Sequence, residues 1–178
     1  GAGGASLSPS GFVVAETDGL AFVDTALRVV TRVPIAGLSD SAPLVLADGS
    51  AVVSAGAQLV RVDAQAVQRF AVSVASRTHS PVARTPAGRL VAATTTELLI
   101  LDQDGRVERR EPLGDQPVAG PAVALDGSIW MITRRGLVAF DADGAPRAQL
   151  PSPTGGPLTH GSLAIATDGS VRAAVLGF

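Results

Sequence analysis

Three features of this 178-residue sequence predict an all-β fold, a β-propeller of four-stranded antiparallel blades. A pattern of turns and short apolar runs returns about every 39 residues. Each copy holds four such runs, separated by turn residues. The two middle runs are apolar almost throughout, whereas the last is polar.

The period rests on two independent markers. Gly11, Gly49, Gly88, Gly127 and Gly169 stand 38, 39, 39 and 42 residues apart, and Asp24, Asp63, Asp102 and Asp141 each stand 39 apart. Pro43, Pro81 and Pro121 open corresponding segments, with Ser162 in that place in the last copy. A fixed period of this length marks a repeat architecture. The copies run approximately over 5–41, 42–79, 80–119 and 120–160, with a partial copy at 161–178, about four and a half repeats in a single domain spanning 1–178.

Within a copy the runs read as strands A to D. In the fourth they are "AVAL", "SIWMIT", "LVAFD" and "APRAQL". Asp126-Gly127 and Asp143-Gly144 lie between them, and Asp-Gly between apolar runs predicts a tight primed hairpin turn, because Gly accepts positive φ. B and C runs such as "AVVSA" and "LLIL" do not alternate apolar with polar, so they predict sheets covered on both faces. D runs such as "VERRE" suit an outer edge in water. Helical repeats would need apolar spacing near 3.6 residues, which the turns interrupt. A β-trefoil has three units, fewer than are present.

The fifth copy holds only its A and B strands, "LAIATDGSVRAAVLGF". Three arrangements follow: five blades with one thin blade, part of a longer propeller, or a ring completed by a second chain. A fragment or partial propeller is favoured, and self-association through the incomplete blade is an expected possibility. The opening "GAGGASLSP" has neither Met nor a signal segment, which predicts a processed or trimmed chain.

Composition narrows the function. Fourteen basic residues, all Arg, face 16 acidic ones, for a net charge of −2. With no basic patch, nucleic acid is not an expected partner. The longest apolar runs are too short to span a bilayer. The sequence lacks Lys, Asn, Tyr and Cys, a usage that points to a GC-rich bacterial genome; without Cys there is no thiol chemistry and no indication of redox compartment.

The stretch "DGSIWMITRRGLVAFDADGAPRAQL" is similar to the repeat of PQQ-like (quinoprotein-type) β-propellers, matching at Pro121, Asp126, Gly127, Gly136, Leu137, Asp141 and Gly144. The resemblance implies the blade type over practically the whole chain. Because scaffold subunits of envelope assemblies belong to this class, it also implies a periplasmic or extracellular location and a protein partner. Quinone-dependent enzymes of the class use a calcium site, a catalytic Asp and, in many members, vicinal cysteines. The cysteines are absent here and no acidic cluster stands out, so no cofactor, metal site or catalytic residue is expected. The D strands carry none of the Trp residues that often dock neighbouring blades in this class; the sole Trp, Trp130, is expected as core in strand B.

Candidate ligand-binding residues are His79, His160, Arg84 and Arg134. The two histidines each precede a strand A by two residues, two copies apart, which predicts a shared rim. Arg84 breaks the apolar pattern of strand A, and Arg134 lies in a B–C turn. The four repeated aspartates are expected to bond backbone N–H groups in the C–D turn. The expected function is a non-catalytic interaction or scaffold module that presents a loop face to a protein or other ligand. The alternative is a small-molecule- or metal-dependent lyase or hydrolase using the His79/His160 rim.

Overall fold

The computed structural model describes residues 4–38, 41–76 and 80–177, which fall into two compact units divided between Val82 and Ala83. Every regular element among them is a β-strand. The first unit holds β1 (Ala5–Ser8), β2 (Gly11–Glu16), β3 (Gly19–Asp24) and β4 (Val29–Pro34), then β5 (Leu44–Val45), β6 (Ala51–Ala55), β7 (Gln58–Val62) and β8 (Gln68–Ser73). In the second are β9 (Ala83–Arg84), β10 (Leu90–Ala93), β11 (Glu97–Leu101) and β12 (Val107–Pro112), then β13 (Pro117–Val123), β14 (Ile129–Thr133), β15 (Gly136–Phe140) and β16 (Pro146–Pro151). It ends with β17 (Leu158–Ile165) and β18 (Val171–Gly177).

Each complete set of four forms one antiparallel sheet in chain order, and β17 and β18 form a two-stranded sheet. Four full copies and an A–B pair are therefore present, as the periodicity predicts.

Burial follows the strand chemistry. Every residue of β6 and β10 is buried, as unbroken apolar runs require. β2 departs from that expectation: Val13 and Ala15 are buried, whereas Phe12 and Val14 remain half-exposed. In the first unit, Val13, Leu20 and Phe22 pack on Val53, Val60 and Val62 of the next sheet. In the second, Val91, Leu98 and Ile100 pack on Ile129, Met131 and Phe140. The outer D strands are largely exposed, and three of them carry Pro34, Pro112 and Pro151 at their ends.

The hairpins explain both the period and its lapses. In the A–B turns Gly49 N–H donates to the Leu46 carbonyl at 2.9 Å, and Gly88, Gly127 and Gly169 repeat the contact. Only this last loop residue has positive φ, 81° to 88°, so these are three-residue loops with a trailing left-handed residue and not the expected primed turns. In the first A–B hairpin Ser8 pairs directly with Gly11, which leaves a two-residue loop. Gly11 is therefore a strand residue, opposite Asp24, whereas Gly49 is the last residue of its loop, and the spacing between them is 38 instead of 39.

The C–D turns share the three-residue design, with a register shift in the flanking strands of each sheet. Their left-handed position holds Leu27 (φ 62°), Ala66 (φ 64°), Gly105 and Gly144. A left-handed L-residue costs about 1–2 kcal/mol, partly offset by the 0.4–1 kcal/mol of unfolded-chain entropy that Gly brings. Leu27 is 74% exposed, so its side chain loses little on truncation. Leu27→Gly is therefore expected to stabilise the protein by about 0.5 kcal/mol and raise Tm by about 1–2 °C in a thermal melt. A lower Tm would show that Leu27 makes contacts worth more than its backbone strain.

Two A strands start earlier than the sequence predicts. β13 begins at Pro117, before the expected Pro121, and is irregular around Gly120, where the Gly120–Pro121 bond is cis. β17 begins at Leu158, before the expected Gly161–Ser162. Leu158 is 1% exposed against Ala119 and Ile132, and its N–H donates to the Arg134 carbonyl at 2.7 Å. Tertiary burial thus extends a strand into "LTHGS", whose composition suggests a loop.

Candidate functional site

The repeated aspartates are turn clamps. Asp24 Oδ1 accepts from the N–H groups of Ala26 and Arg28, and Asp63, Asp102 and Asp141 repeat the pattern two and four residues on, all at 2.8–2.9 Å. The Arg28 N–H holds the Asp24 carboxyl below its ordinary value, and the Val67 N–H does the same for Asp63. The A–B turns have their own clamps. The Ser50 hydroxyl lowers Asp48, the Ser128 hydroxyl lowers Asp126, and the Ser170 N–H lowers Asp168. Among the described residues, no three His, Asp or Glu side chains converge as a metal site would need.

The candidate ligand residues separate. Arg84 is exposed at the end of β9, directly before the A–B turn Thr85–Gly88. Arg134 follows β14 in the B–C turn, at the opposite end of the strands, where its N–H donates to the Gln116 carbonyl at 3.0 Å. His160 is not in a loop: it lies in β17, paired with Leu176 and exposed, and its Nδ1 is 3.3 Å from Thr159 Oγ1. It lies near the Arg134 end, because Leu158 bonds the Arg134 carbonyl. His79 lies outside the described residues.

Two grooves in the second unit mark these ends. One, of about 400 Å³, runs across three successive A–B turns and is lined by Arg84, Thr85, Leu125 and Thr167 among others. Leu125 is 80% exposed there. The other, of about 330 Å³, holds Arg134 and Arg135 against the loop from Pro151 to Pro157.

Leu125 was hidden in the run "AVAL", which reads as a strand. Its repeat counterparts are Ala47, Pro86 and Thr167, so a large apolar residue in this turn position is a signal that the register contains. Trp130 is likewise not core: it is half-buried, and its Nε1 donates to Ser128 Oγ at 3.1 Å. A third contact links two sheets. Arg89 donates to the Ala142 carbonyl at 2.7 Å and to Asp143 at 3.1 Å.

No family model matches the sequence, and no curated protein matches it significantly. Solved structures match at the level of fold. Hydrazine synthase of Kuenenia stuttgartiensis superposes with a TM-score of 0.80 at 16% identity, covering 96% of this chain and 54% of its own. BamB from Moraxella catarrhalis gives 0.72 at 20% identity, covering 96% and 57%. The fold is that of β-propeller blades. The extracellular domain of a putative hybrid two-component system from B. thetaiotaomicron gives 0.74 at 11% identity, covering 96% of the propeller chain and 26% of its own. The propeller chain thus spans little more than half the length of the first two structures. No helix among its described residues is long and apolar enough to cross a membrane.

Proposed function

We propose that this chain is a propeller interaction module, with its five sheets forming one domain that binds a protein partner in a periplasmic or extracellular setting. One observation carries the reading. Three successive A–B turns of the second unit form one groove that combines an exposed cation, Arg84, with the exposed apolar Leu125. The turn aspartates are engaged by their own backbones, so they rigidify the loops and leave recognition to the side chains between them. An exposed large apolar residue beside an Arg on a preformed surface is the composition of a protein-binding hot spot. The fold shared with an extracellular domain supports the location.

The test is a photo-crosslinker in place of Leu125, irradiated in an extract of the source cell's envelope fraction. Discrete adducts that disappear with Arg84→Glu and persist in a His79→Ala/His160→Ala double variant are expected. Adducts lost with the histidines and kept with Arg84→Glu would move the active surface to the other rim and sink this reading.

A further inference from the structure

A cleft of about 420 Å³ lies between the linker that leaves the third sheet and the outer strands of the fourth. Both sheets are complete in four strands, and neither Arg84 nor Leu125 takes part. Pro112 and Leu113 form one wall, and Val138 and Phe140 form the other. Leu113 and Val138 are half-buried against Ile100, Ile129 and Met131, which makes this part of the cleft apolar. The linker is held at both ends. The Leu113 N–H donates to the Thr96 carbonyl at 2.8 Å, and the Arg134 N–H donates to the Gln116 carbonyl at 3.0 Å. The cleft is therefore preformed, and its volume is in the range of small-molecule sites.

Two opposite charges stand at the B–C end of this cleft. The Arg135 N–H in the turn donates to Asp115 Oδ2 in the linker at 2.6 Å. That bond fixes the carboxylate through the main chain alone. Among the described residues the Arg135 guanidinium and Asp115 Oδ1 have no partner. The couple is particular to this junction: 39 and 78 residues back, Asp115 corresponds to Ser76 and Gly37, and Arg135 to Thr96 and Ala57. The first junction also shows what fills the apolar part. There the Gly56 N–H donates to the Gly37 carbonyl, and Leu38, bridged to Ala55, packs on the core beside Ile35. Val60 in that core is 3% exposed. In the third linker the equivalent bond goes to Gln116, one residue later in register, and Pro117 opposite Thr133 takes the place of Leu38. Val138, the counterpart of Val60, is only half-buried.

We infer that this cleft binds a free α-amino acid with an aliphatic side chain. Its ammonium meets Asp115 Oδ1, its carboxylate meets Arg135, and its side chain lies on Leu113 and Val138 as Leu38 lies on the first core. A zwitterion carries both charges within a few bonds of each other and so satisfies both groups at once. A plain carboxylate would face Asp115, and a plain amine would face Arg135. Each leaves one charge of the site opposed by its like, which is how the couple selects its ligand.

The probe is L-leucine, titrated into the full chain while the methyl resonances of Leu113 and Val138 are followed by NMR. Saturable shifts of both are expected. 4-Methylpentanoate, which lacks the ammonium, and 3-methylbutylamine, which lacks the carboxylate, should each bind about tenfold more weakly or less well still, since each gives up a charged hydrogen bond. Asp115→Asn should weaken L-leucine about tenfold without weakening 4-methylpentanoate, and Arg135→Gln should weaken it similarly without weakening 3-methylbutylamine. The two analogues test the charges on the unaltered chain, so the result stands even where a variant folds poorly. Equal binding of all three compounds, no saturation, or shifts confined to methyl groups away from the cleft would overturn the proposal. So would L-leucine binding that both variants leave unchanged. Adducts at position 125 report on the opposite end of the strands, so either reading can fail while the other holds.

Discussion

Gly136→Ala is expected to lower stability by about 3 kcal/mol or more and Tm by about 6–12 °C, without altering the repeat pattern elsewhere. The reason is backbone contact, with side-chain packing uninvolved. Gly136 opens β15 at φ 148°, and a Cβ there would lie 2.0 Å from the Leu150 carbonyl oxygen and 2.8 Å from the Pro151 carbonyl carbon. No rotamer relieves that overlap, so the Gly136–Pro151 pair must part and the edge strand with it. Gly56→Ala is the control. It also has positive φ, 58°, but nothing lies within 4 Å, so only the conformational cost of about 1–2 kcal/mol applies. Chemical denaturation of both variants separates the two contributions. Equal losses would mean that the strands shift to absorb the methyl group.

The second large effect is expected in the packing between the third and fourth sheets. Ile100 is 1% exposed and packs with Ile129, Met131 and Phe140. Ile100→Ala should cost about 3 kcal/mol, within the 2–5 range of buried Ile truncations, because the facing residue is Gly144 and has no side chain to fill the void. The polar contact across the same two sheets should matter far less. Asp143 is 79% exposed in its pair with Arg89, so solvent screens it and Arg89→Ala should cost at most about 1 kcal/mol. Urea midpoints of the two variants decide it. A larger loss for Arg89→Ala would mean that electrostatics, and not burial, joins these sheets.

What the sequence revealed and what it concealed divide along the range of the forces involved. The Asp24, Asp63, Asp102 and Asp141 clamps were legible because each acts within four residues of itself. Strand order was legible because consecutive runs joined by short turns pair in order. The left-handed positions at Leu27 and Ala66 were not, since neither residue announces positive φ; only alignment with Gly105 and Gly144 exposes them. The early start of β17 depends on Leu158 reaching Ile132, a contact no local pattern encodes. Arg84 is a candidate because it breaks the apolar pattern of strand A, and Arg134 because it lies in a B–C turn. The direction of successive strands in a hairpin places them at opposite ends.

The outer strands have a consequence for the chain in concentrated solution. A free strand edge invites pairing with any other, and Pro34, Pro112 and Pro151, together with arginines such as Arg32, Arg69 and Arg147, blunt the edges of the four complete sheets. β8 and β18, "QRFAVS" and "VRAAVLG", are the least guarded, each with one Arg and no Pro. In warm or concentrated stocks, pairing between copies is therefore expected to begin at such lightly guarded strands, while the blades edged by Pro and Arg are still folded.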